Sequence, residues 1–249
     1  MRFIPCVSES ASLYSFVSSH QDDLMATATL QGASAPIPIP KIICVGRNYA
    51  EHAKEMKADV PTTPVLFLKP PTAVIHNHDR VIIPSVSKEL HHEVELIVLI
   101  AKGGKNISRA RAMEHIAGYG VGLDMTLRDL QSDAKKKGLP WSVAKGFDTS
   151  APISEFVPAA SVAEPHRLTV ELTVNGAARQ KGSTSDFIFK LDHLLSAISE
   201  IFTLEQGDII FTGTPEGVAQ TVAGDTLLAR LLDASGKPLV SIMAHVDQA

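Results

Sequence analysis

Three carboxylates stand next to apolar segments, where side chains from different strands could meet in a buried site. Glu93 and Glu95 lie at the entrance of the apolar run 90–100, and Asp124 follows the glycine-rich run 118–123. Alternate residues of an extended strand point to the same side, so Glu93 and Glu95 are predicted to share a face. Carboxylates this close do not both ionise easily unless a proton or a cation lies between them. We therefore predict that the three side chains hold a divalent metal ion.

The metal predicted from these ligands is Mg²⁺, with Mn²⁺ or Ca²⁺ as alternatives, because carboxylate oxygens suit hard cations. Zinc is a rival, since His91 and His92 precede Glu93 and zinc prefers nitrogen and sulfur ligands. Adjacent histidines of a strand point to opposite sides, however, and do not easily bind one ion together. Asp124 has a structural alternative: it could cap a helix predicted over 125–137, since Asp is a favoured N-cap.

A second group of polar residues falls on predicted helices. His52 and Glu55 are three apart in a helix predicted over 50–58, for which Asn48 is a candidate cap. Residues three apart share a helix face, and spacing alone favours an ordinary solvated His–Glu pair. Arg128 and Gln131 have the same spacing in the next predicted helix. Arg128 and Gln131 lie on the face of that helix nearer Asp124, so their side chains could face the predicted metal site.

Three further features are weaker indications of a functional site. The lysines at 135–137 are predicted to form a solvated face at a helix C-terminus, where the helix dipole favours cations. Lys145 stands between Ala144 and Gly146, and a lysine is costly to bury unless it is paired. The glycine-rich loop 213–217 could offer backbone N–H groups and the Thr214 hydroxyl to an anion, or it could be a plain strand-to-turn connection.

The elements that must position these residues are mostly strands. Alternating or continuous apolar runs bounded by glycine and proline predict strands, and helix-forming composition predicts short helices. An Asn175-Gly176 pair predicts a hairpin turn. The predicted strands are 42–45, 64–70, 80–84, 90–100, 118–124, 168–174, 177–181, 207–211, 227–232 and 239–246, and the predicted helices are 50–58, 108–116, 125–137 and 188–202.

Composition limits the class of protein. The chain has 249 residues, 45% of them hydrophobic, and a formal net charge of −4. The mild acidity argues against a nucleic-acid or anionic-membrane surface, and no apolar run approaches the ~20 residues of a membrane span. Two cysteines, Cys6 and Cys44, indicate reduced thiols in a cytoplasmic or mitochondrial-matrix setting rather than a disulfide framework. Residues 1–40 lack the Arg-rich, acid-poor composition of a transit peptide, and we predict an N-terminal extension before a catalytic domain at 41–249.

Several short segments, in this order, resemble the fumarylacetoacetate hydrolase family. They are Val45-Gly46-Arg47-Asn48-Tyr49 with His52, Phe67-Leu68-Lys69-Pro70, His92-Glu93-Val94-Glu95, Leu123-Asp124-Met125-Thr126 with Arg128 and Gln131, and Thr212-Gly213-Thr214-Pro215. The segment 136–141, Lys-Lys-Gly-Leu-Pro-Trp, is most similar to the acylpyruvase and oxaloacetate decarboxylase branch. The resemblance runs from about Lys41 to the C-terminal strands. It implies an α+β, mainly β fold, a mixed β-sandwich roll with short flanking helices, and a homodimer.

The resemblance also implies roles for residues. Mg²⁺ or Mn²⁺ would bind Glu93, Glu95 and Asp124. His52 and Glu55 would form a water-activating dyad on a short lid-like helix. The implied pocket residues are Lys145 and Gln131, with Thr214 holding the substrate carboxylate and Arg47 and Arg128 in or near the pocket.

The implied activity is metal-dependent hydrolysis of the C–C bond of acylpyruvates, such as acetylpyruvate and fumarylpyruvate, with decarboxylation of oxaloacetate as a second reaction. The alternative is an oxaloacetate keto–enol tautomerase, or a related 2-oxo-acid isomerase or hydratase, at the same site. A third possibility is a binding protein without catalysis. The paired His52 and Glu55 favour hydrolysis, since tautomerisation needs proton transfer alone.

Overall fold

The computed structural model describes residues 26–55 and 59–249, and the strands outnumber the helices. The helices are α1 (Ala50–Glu55), α2 (Arg109–Ala112), α3 (Arg128–Lys137), α4 (Ser142–Lys145) and α5 (Leu191–Ile201). The strands are β1 (Thr27–Ala28), β2 (Ile37–Pro38), β3 (Ile42–Gly46), β4 (Val65–Lys69), β5 (Val74–Ile75), β6 (Arg80–Ile83), β7 (Leu90–His92), β8 (Val94–Ile100), β9 (Ile116–Leu123), β10 (Thr126–Leu127), β11 (Ala151–Pro152), β12 (Val157–Pro158), β13 (Thr169–Val174), β14 (Ala177–Ser183), β15 (Ile209–Phe211), β16 (Ala219–Thr221), β17 (Thr226–Leu232) and β18 (Pro238–Gln248).

Two sheets form the framework. The first has six strands in the order β12-β9-β8-β15-β3-β4, and the second has five in the order β14-β13-β17-β18-β6. Apolar residues from both sheets share one core cluster, while Ile42, Ile97 and Phe211 on the opposite face of the first sheet belong to a second cluster. The first sheet is therefore buried on both faces, which explains the continuous apolar sequence of β8. The α+β, mainly β architecture predicted from the resemblance is confirmed.

The run 90–100 is two strands rather than the single strand predicted. β7 belongs to a small three-stranded sheet with β10 and β16, β8 lies in the six-stranded sheet, and Glu93 stands at the break. β8 and β9 pair antiparallel, with Val94 opposite Leu123, and Asp124 N–H donates to the carbonyl of Glu93 at 2.8 Å. The strand register therefore brings Asp124 to the same edge of the sheet as Glu93.

Two capping predictions are wrong. Asn48 is fully buried, and its side chain bonds Phe189 N and the carbonyls of Phe189 and Thr212 instead of capping α1. Asp124 does not cap α3, because β10 intervenes and the helix begins only at Arg128. Both side chains are used in tertiary contacts, which local propensity does not register. The predicted end of α3 at Gly138 is confirmed, with φ of 66° and hydrogen bonds to the last helical turn.

The glycines of β9 pack closely against neighbouring side chains. A Cβ on Gly122 would lie 2.8 Å from the Phe211 ring and 2.9 Å from Ile97, closer than side-chain atoms pack. Because glycine has no side chain, β9 can lie close to Phe211 and Ile97 just before the strand ends and Asp124 follows.

Part of the predicted N-terminal extension, residues 1–25, lies outside the described residues, as do positions 56–58 of the predicted 50–58 helix. Residues 27–38 contain the paired strands β1 and β2, and Ala28 is buried. Among the helices of the described chain, no helix has the length and apolar character to cross a bilayer.

Candidate functional site

One cavity of about 370 Å³ collects most of the predicted site residues. Nine of the ten predicted side chains line it: Arg47, His52, Glu93, Glu95, Asp124, Arg128, Gln131, Lys145 and Thr214. The tenth, Glu55, lies beside His52. The cavity is also lined by Val45, Gly46, Phe67, Lys135 and Trp141, residues to which the sequence assigned no site role. Its size is typical of a small-molecule site.

The three carboxylates meet at the cavity floor. One oxygen from each of Glu93, Glu95 and Asp124 lies within 4.8 Å of the others, and all three residues are buried. Glu93 comes from the break between β7 and β8, Glu95 from β8, and Asp124 from the end of β9. His91 and His92 do not belong to this cluster: the Arg128 Nε–H points to His91 Nδ1 at 3.4 Å, and His92 Nδ1 lies 3.0 Å from Gln180 Oε1.

Three cations surround the acid cluster. Lys145 Nζ lies 2.8 Å from Glu93 Oε2 and 2.6 Å from Asp124 Oδ2. The Arg128 guanidinium pairs with Glu93. Lys69, fully buried, has its Nζ 2.8 Å from Asp124 Oδ1, as a charge contact without hydrogen-bond alignment, and donates to the Lys145 and Met125 carbonyls. Lys69 has no role among those predicted from the sequence, although a lysine inside the apolar segment Phe67-Leu68-Lys69-Pro70 is itself a signal that a buried partner is needed.

The charges are unevenly compensated. Burial raises the pKa of Glu93, but Lys145 and Arg128 outweigh burial and hold that pKa well below its usual range. Glu95 has no cationic partner among the described residues and accepts a hydrogen bond from Gly213 N–H at 2.6 Å. Burial, together with the charges of Asp124 and Glu93, raises the pKa of Glu95 well above its ordinary value. A further cation beside Glu95 would let all three carboxylates ionise together.

These residues fit a hard divalent cation. The donor set is oxygen only, the three oxygens converge, and Glu95 is the carboxylate whose charge the chain does not balance. Carboxylate oxygens are the ligands of Mg²⁺ and Mn²⁺. Burial lowers the pKa of Lys145, but Asp124 and Glu93 outweigh it and raise that pKa, so its ammonium stays charged beside the cluster.

His52 and Glu55 form a contact that reaches from α1 into the cavity. His52 Nδ1 lies 3.3 Å from Glu55 Oε2, and Glu55 Oε1 accepts from Gly217 N–H at 3.0 Å. His52 is 5% exposed, so a solvated surface pair, the interpretation favoured by spacing alone, does not describe it. When His52 Nδ1–H donates its hydrogen bond to Glu55, Nε2 is the ring nitrogen that can accept a proton.

The loop after β15 holds both the acid cluster and α1. Gly213 N–H binds Glu95, and Gly217 N–H binds Glu55. Gly213 has φ of 98°, and a Cβ there would lie 2.7 Å from the Cβ of Asn48, so a larger residue would push the loop away. The plain-turn alternative for this loop is therefore wrong: its backbone N–H groups hold two carboxylates.

The hydroxyl of Thr214 is already engaged. It donates to the Val94 carbonyl at 2.8 Å and accepts from Gln180 Nε2 at 2.9 Å. A hydroxyl has one proton to donate, so in this arrangement the side chain has none left for a substrate carboxylate. The predicted contact with the substrate would then use the Thr214 backbone N–H or require the hydroxyl to rotate.

Gln180, on β14, is a buried residue to which the sequence analysis assigned no role. Its Oε1 accepts from Val94 N–H and lies 3.0 Å from His92 Nδ1, while its Nε2 donates to Thr214 Oγ1 and the Pro215 carbonyl. The backbone partners fix the amide orientation, because an N–H needs an acceptor and a carbonyl needs a donor. Gln180 therefore connects the second sheet to β8, which carries Glu95 of the carboxylate cluster, and to the 212–217 loop.

Replacing Gln180 with leucine is expected to lower the free energy of unfolding by about 3 kcal/mol, because several buried polar groups lose partners at once. We also expect KM to rise more than kcat falls, since the Thr214 loop loses its support. Urea unfolding and steady-state kinetics measure the two effects. Lys181→Leu, at an exposed position of the same strand, is the control, and equal unfolding free energies for the two variants would contradict the prediction.

Comparison with known proteins places this site in a family. Residues 41–242 match the family model described as fumarylacetoacetate (FAA) hydrolase C-terminal. The mitochondrial oxaloacetate tautomerase FAHD1 of Bos taurus is 50% identical over 188 residues, 76% of this chain and 85% of that protein. Oxaloacetate tautomerase YcgM of Escherichia coli is 48% identical over 198 residues, 79% of this chain and 90% of that protein.

A solved structure supports the same family. The crystal structure of fumarylpyruvate hydrolase from Pseudomonas aeruginosa in complex with Mn²⁺ and pyruvate matches with a TM-score of 0.84 and 37% identity, over 90% of this chain and 97% of that one. The family model, the curated relatives and the fold thus agree over the part of the chain that builds the cavity. The chain belongs to the fumarylacetoacetate hydrolase family.

Proposed function

We propose that the chain is a divalent-metal-dependent hydrolase that cleaves the C–C bond of acylpyruvates and also decarboxylates oxaloacetate. The observation that carries the proposal is the meeting, in one cavity, of a convergent carboxylate triad and His52, which is paired with Glu55 beside the cavity. The triad suits a cation that binds a 2-oxo acid, and the pair suits activation of water. The names of the relatives, a fumarylpyruvate hydrolase and oxaloacetate tautomerases, support this class of substrate.

Glu93, Glu95 and Asp124 are the proposed metal ligands. Mg²⁺ is the proposed ion and Mn²⁺ the alternative, the latter supported by the Mn²⁺ in the hydrolase from Pseudomonas aeruginosa. When bound, the ion supplies Lewis-acid polarisation of the 2-oxo acid and charge stabilisation of an enolate.

The His–Glu pair is the proposed general base. Glu55 accepts a hydrogen bond from Nδ1–H and orients the imidazole, so Nε2 takes a proton from the water that attacks the distal carbonyl of the acylpyruvate. Gly217 N–H fixes the far oxygen of Glu55, which limits the rotation of that carboxylate.

Lys145 and the residues of α3 are proposed to handle negative charge. The Lys145 ammonium lies between Glu93 and Asp124, where it stabilises the charge that develops on the leaving pyruvate enolate. Gln131 and Arg128 are proposed to orient the substrate, their side chains held together by a 2.6 Å hydrogen bond. Arg47 and Thr214, which also line the cavity, are proposed to contact the substrate.

The second candidate is an oxaloacetate keto–enol tautomerase, favoured by the names of relatives that are 48–50% identical. Tautomerisation moves a proton between carbon and oxygen and needs no water attack. The same Lys145, His52 and metal ligands would serve that reaction. The two candidates therefore differ in whether water is consumed, and products distinguish them.

Removal of divalent metal is expected to abolish turnover, since neither polarisation of the 2-oxo acid nor neutralisation of Glu95 remains. EDTA-treated and dialysed protein should lose acetylpyruvate cleavage, followed by ultraviolet absorbance, by at least about 10²-fold. Mg²⁺ or Mn²⁺ should restore it and Ca²⁺ should restore less. Full activity after chelation would contradict metal dependence. A protein that converts oxaloacetate without releasing acetate from acetylpyruvate would favour the tautomerase.

The biological setting is also proposed. The mitochondrial relatives support a mitochondrial-matrix or cytoplasmic location, and the small anionic 2-oxo acid is the proposed binding partner. We further propose a homodimer and a catalytic domain at 41–249 following an N-terminal extension at 1–40. Sedimentation velocity of the purified chain tests the dimer.

A further inference from the structure

Positive charge is distributed unevenly around the cavity. Four of its lining residues are cationic: Arg47, Arg128, Lys135 and Lys145. Arg128 and Lys145 pair with the acid cluster on the floor. Among the described residues, no carboxylate lies within ion-pair distance of Lys135 or Arg47, and Arg47 donates only to the carbonyl of Asp59, at 3.3 Å. Lys135 and Arg47 are therefore the cations of the cavity lining that no carboxylate of the described chain contacts as an ion pair.

Lys135 faces the cavity because of its place on α3. It follows Gln131 by four residues and Arg128 by seven, so the three side chains share one face of the helix. The ammonium lies 5.2 Å from the centroid of the Trp141 ring, within the range of a cation–π contact. The solvated face predicted for the lysines at 135–137 is therefore incomplete, since exposed Lys135 also lines the cavity.

An aromatic wall separates the two lysines. The Lys145 ammonium lies 5.0 Å from the Phe67 ring centroid, and the Phe67 and Trp141 rings meet edge to face with centroids 5.9 Å apart. The wall thus carries an ammonium at each end and apolar surface between them. Such a wall complements a ligand with negative charge at both ends and a flat or apolar middle.

We propose that Lys135, with Arg47, forms a second anion subsite at the cavity mouth that binds the far carboxylate of a dicarboxylic 2-oxo acid. The proposal rests on the proposed function for the near end of the ligand, which the acid cluster and its metal would hold. Lys135 is the specificity-determining residue: it favours acylpyruvates and other 2-oxo acids that end in a carboxylate over those that end in a methyl group.

The electrostatics of Lys135 agree with this assignment. Partial burial of Lys135, whose side chain still reaches the surface, is the first cause that lowers its pKa, and the charge of Arg128 is the second. Glu93 raises that pKa, while Lys145 and Arg47 lower it. A cation held among other cations gains from a nearby anion. Arg47, which also lines the cavity, adds a second donor and has a backbone φ of 61°, which is uncommon outside glycine.

Paired ligands of equal length test the subsite without turnover. 2-Oxoglutarate and 2-oxopentanoate differ only in a terminal carboxylate against a methyl group, and 2-oxoadipate and 2-oxohexanoate form a longer pair. Trp141 is the single tryptophan of the chain and lies in the subsite, so its fluorescence, with Mg²⁺ present, reports binding. Calorimetry of the same titrations checks each Kd.

The wild-type protein is expected to bind at least one of the dicarboxylates about tenfold more tightly than its methyl counterpart, the effect of one charged hydrogen bond. Lys135→Met should bring that ratio close to one, and Lys135→Arg should retain most of it. Lys136→Met, which removes the neighbouring exposed charge from the same helix, should leave it unchanged.

Two results would overturn the subsite: no preference for either dicarboxylate in the wild-type protein, or the same preference in Lys135→Met. The outcome is independent of catalysis. A chain that shows the preference but does not cleave acylpyruvates would refute the proposed activity and leave the subsite standing. Equal melting temperatures of Lys135→Met and Lys136→Met confirm that both variants are folded.

Discussion

Replacing Glu95 with glutamine is expected to remove the stabilisation of the protein by Mg²⁺ while leaving the metal-free fold intact. Glu95 is the buried carboxylate without a cationic partner among the described residues, and burial with the charges of Asp124 and Glu93 raises its pKa. Glutamine keeps an oxygen for the Gly213 N–H and adds donors toward the neighbouring carboxylates. The metal, in contrast, loses a charged ligand.

The sign of the effect on the metal-free protein follows from linkage. A group whose pKa is raised on folding holds its proton in the folded chain after the unfolded chain has released it. Stability is therefore lost as the pH rises above the ordinary pKa of a glutamate. Glutamine has no proton to lose, so metal-free Glu95→Gln should melt at the same temperature as the wild type at neutral pH, or higher.

Thermal melts with and without Mg²⁺ measure both parts of the prediction. Metal at one hundred times its Kd stabilises a protein by about 2.7 kcal/mol, which for a chain of this length raises Tm by roughly 5–10 °C. The rise should appear in the wild type and in Glu89→Gln, a control at an exposed glutamate before β7, and not in Glu95→Gln. An undiminished rise in Glu95→Gln would show that this residue is not a ligand.

Replacing His52 with alanine is expected to slow hydrolysis of acetylpyruvate much more than decarboxylation of oxaloacetate. Hydrolysis requires a base for water, so acetylpyruvate cleavage should fall by about 10²–10⁴-fold. Decarboxylation of oxaloacetate needs no water attack and should fall by less than about tenfold. The buried position of His52 and its 3.3 Å contact with Glu55 are the structural basis of this expectation.

Steady-state rates for both substrates, with a coupled assay for pyruvate, test the separation. His76→Ala, at an exposed histidine outside the cavity, is the control and should retain both activities. Glu55→Gln should reproduce a smaller part of the loss, since the imidazole remains but its orienting charge does not. Normal hydrolysis by His52→Ala would show that the His–Glu dyad takes no part in the mechanism. Equal loss of both reactions would favour the tautomerase, in which one proton-transfer group serves oxaloacetate.

Local sequence patterns predict most of the elements. Period-two alternation predicts β13, the Asn175-Gly176 pair predicts its hairpin, and the apolar run predicts β8. Such features depend on the intrinsic geometry of strands and turns. The capping assignments of Asn48 and Asp124 failed because both side chains bind residues distant in sequence or line the cavity, and local propensity does not include those partners.

Gln180 and Lys69 have hydrogen-bond partners that the spacing of residues along the sequence does not reveal. Gln180 lies 88 residues from His92 and 34 from Thr214 along the chain, yet it contacts both. Lys69 lies 56 residues from Met125, whose carbonyl it binds. The apolar segment around Lys69 indicates that this lysine needs a buried partner, but neither its sequence nor that of Gln180 says which residue the partner is. Only the packing of the two sheets and their loops identifies these partners.

The sequence by itself determined the carboxylate triad, the family resemblance and the mainly β architecture, because each depends on residue types at short spacing or on ordered motifs along the chain. Tertiary structure alone decided how charge is distributed in the cavity. Arg128 and Lys145 are held by the acid cluster, and the Thr214 hydroxyl donates its hydrogen bond to the Val94 carbonyl. Lys135 and Arg47 remain without an acidic partner in the described chain. The physical reason is that Coulombic and hydrogen-bond energies depend on the distances between atoms, and strand register and sheet packing set those distances.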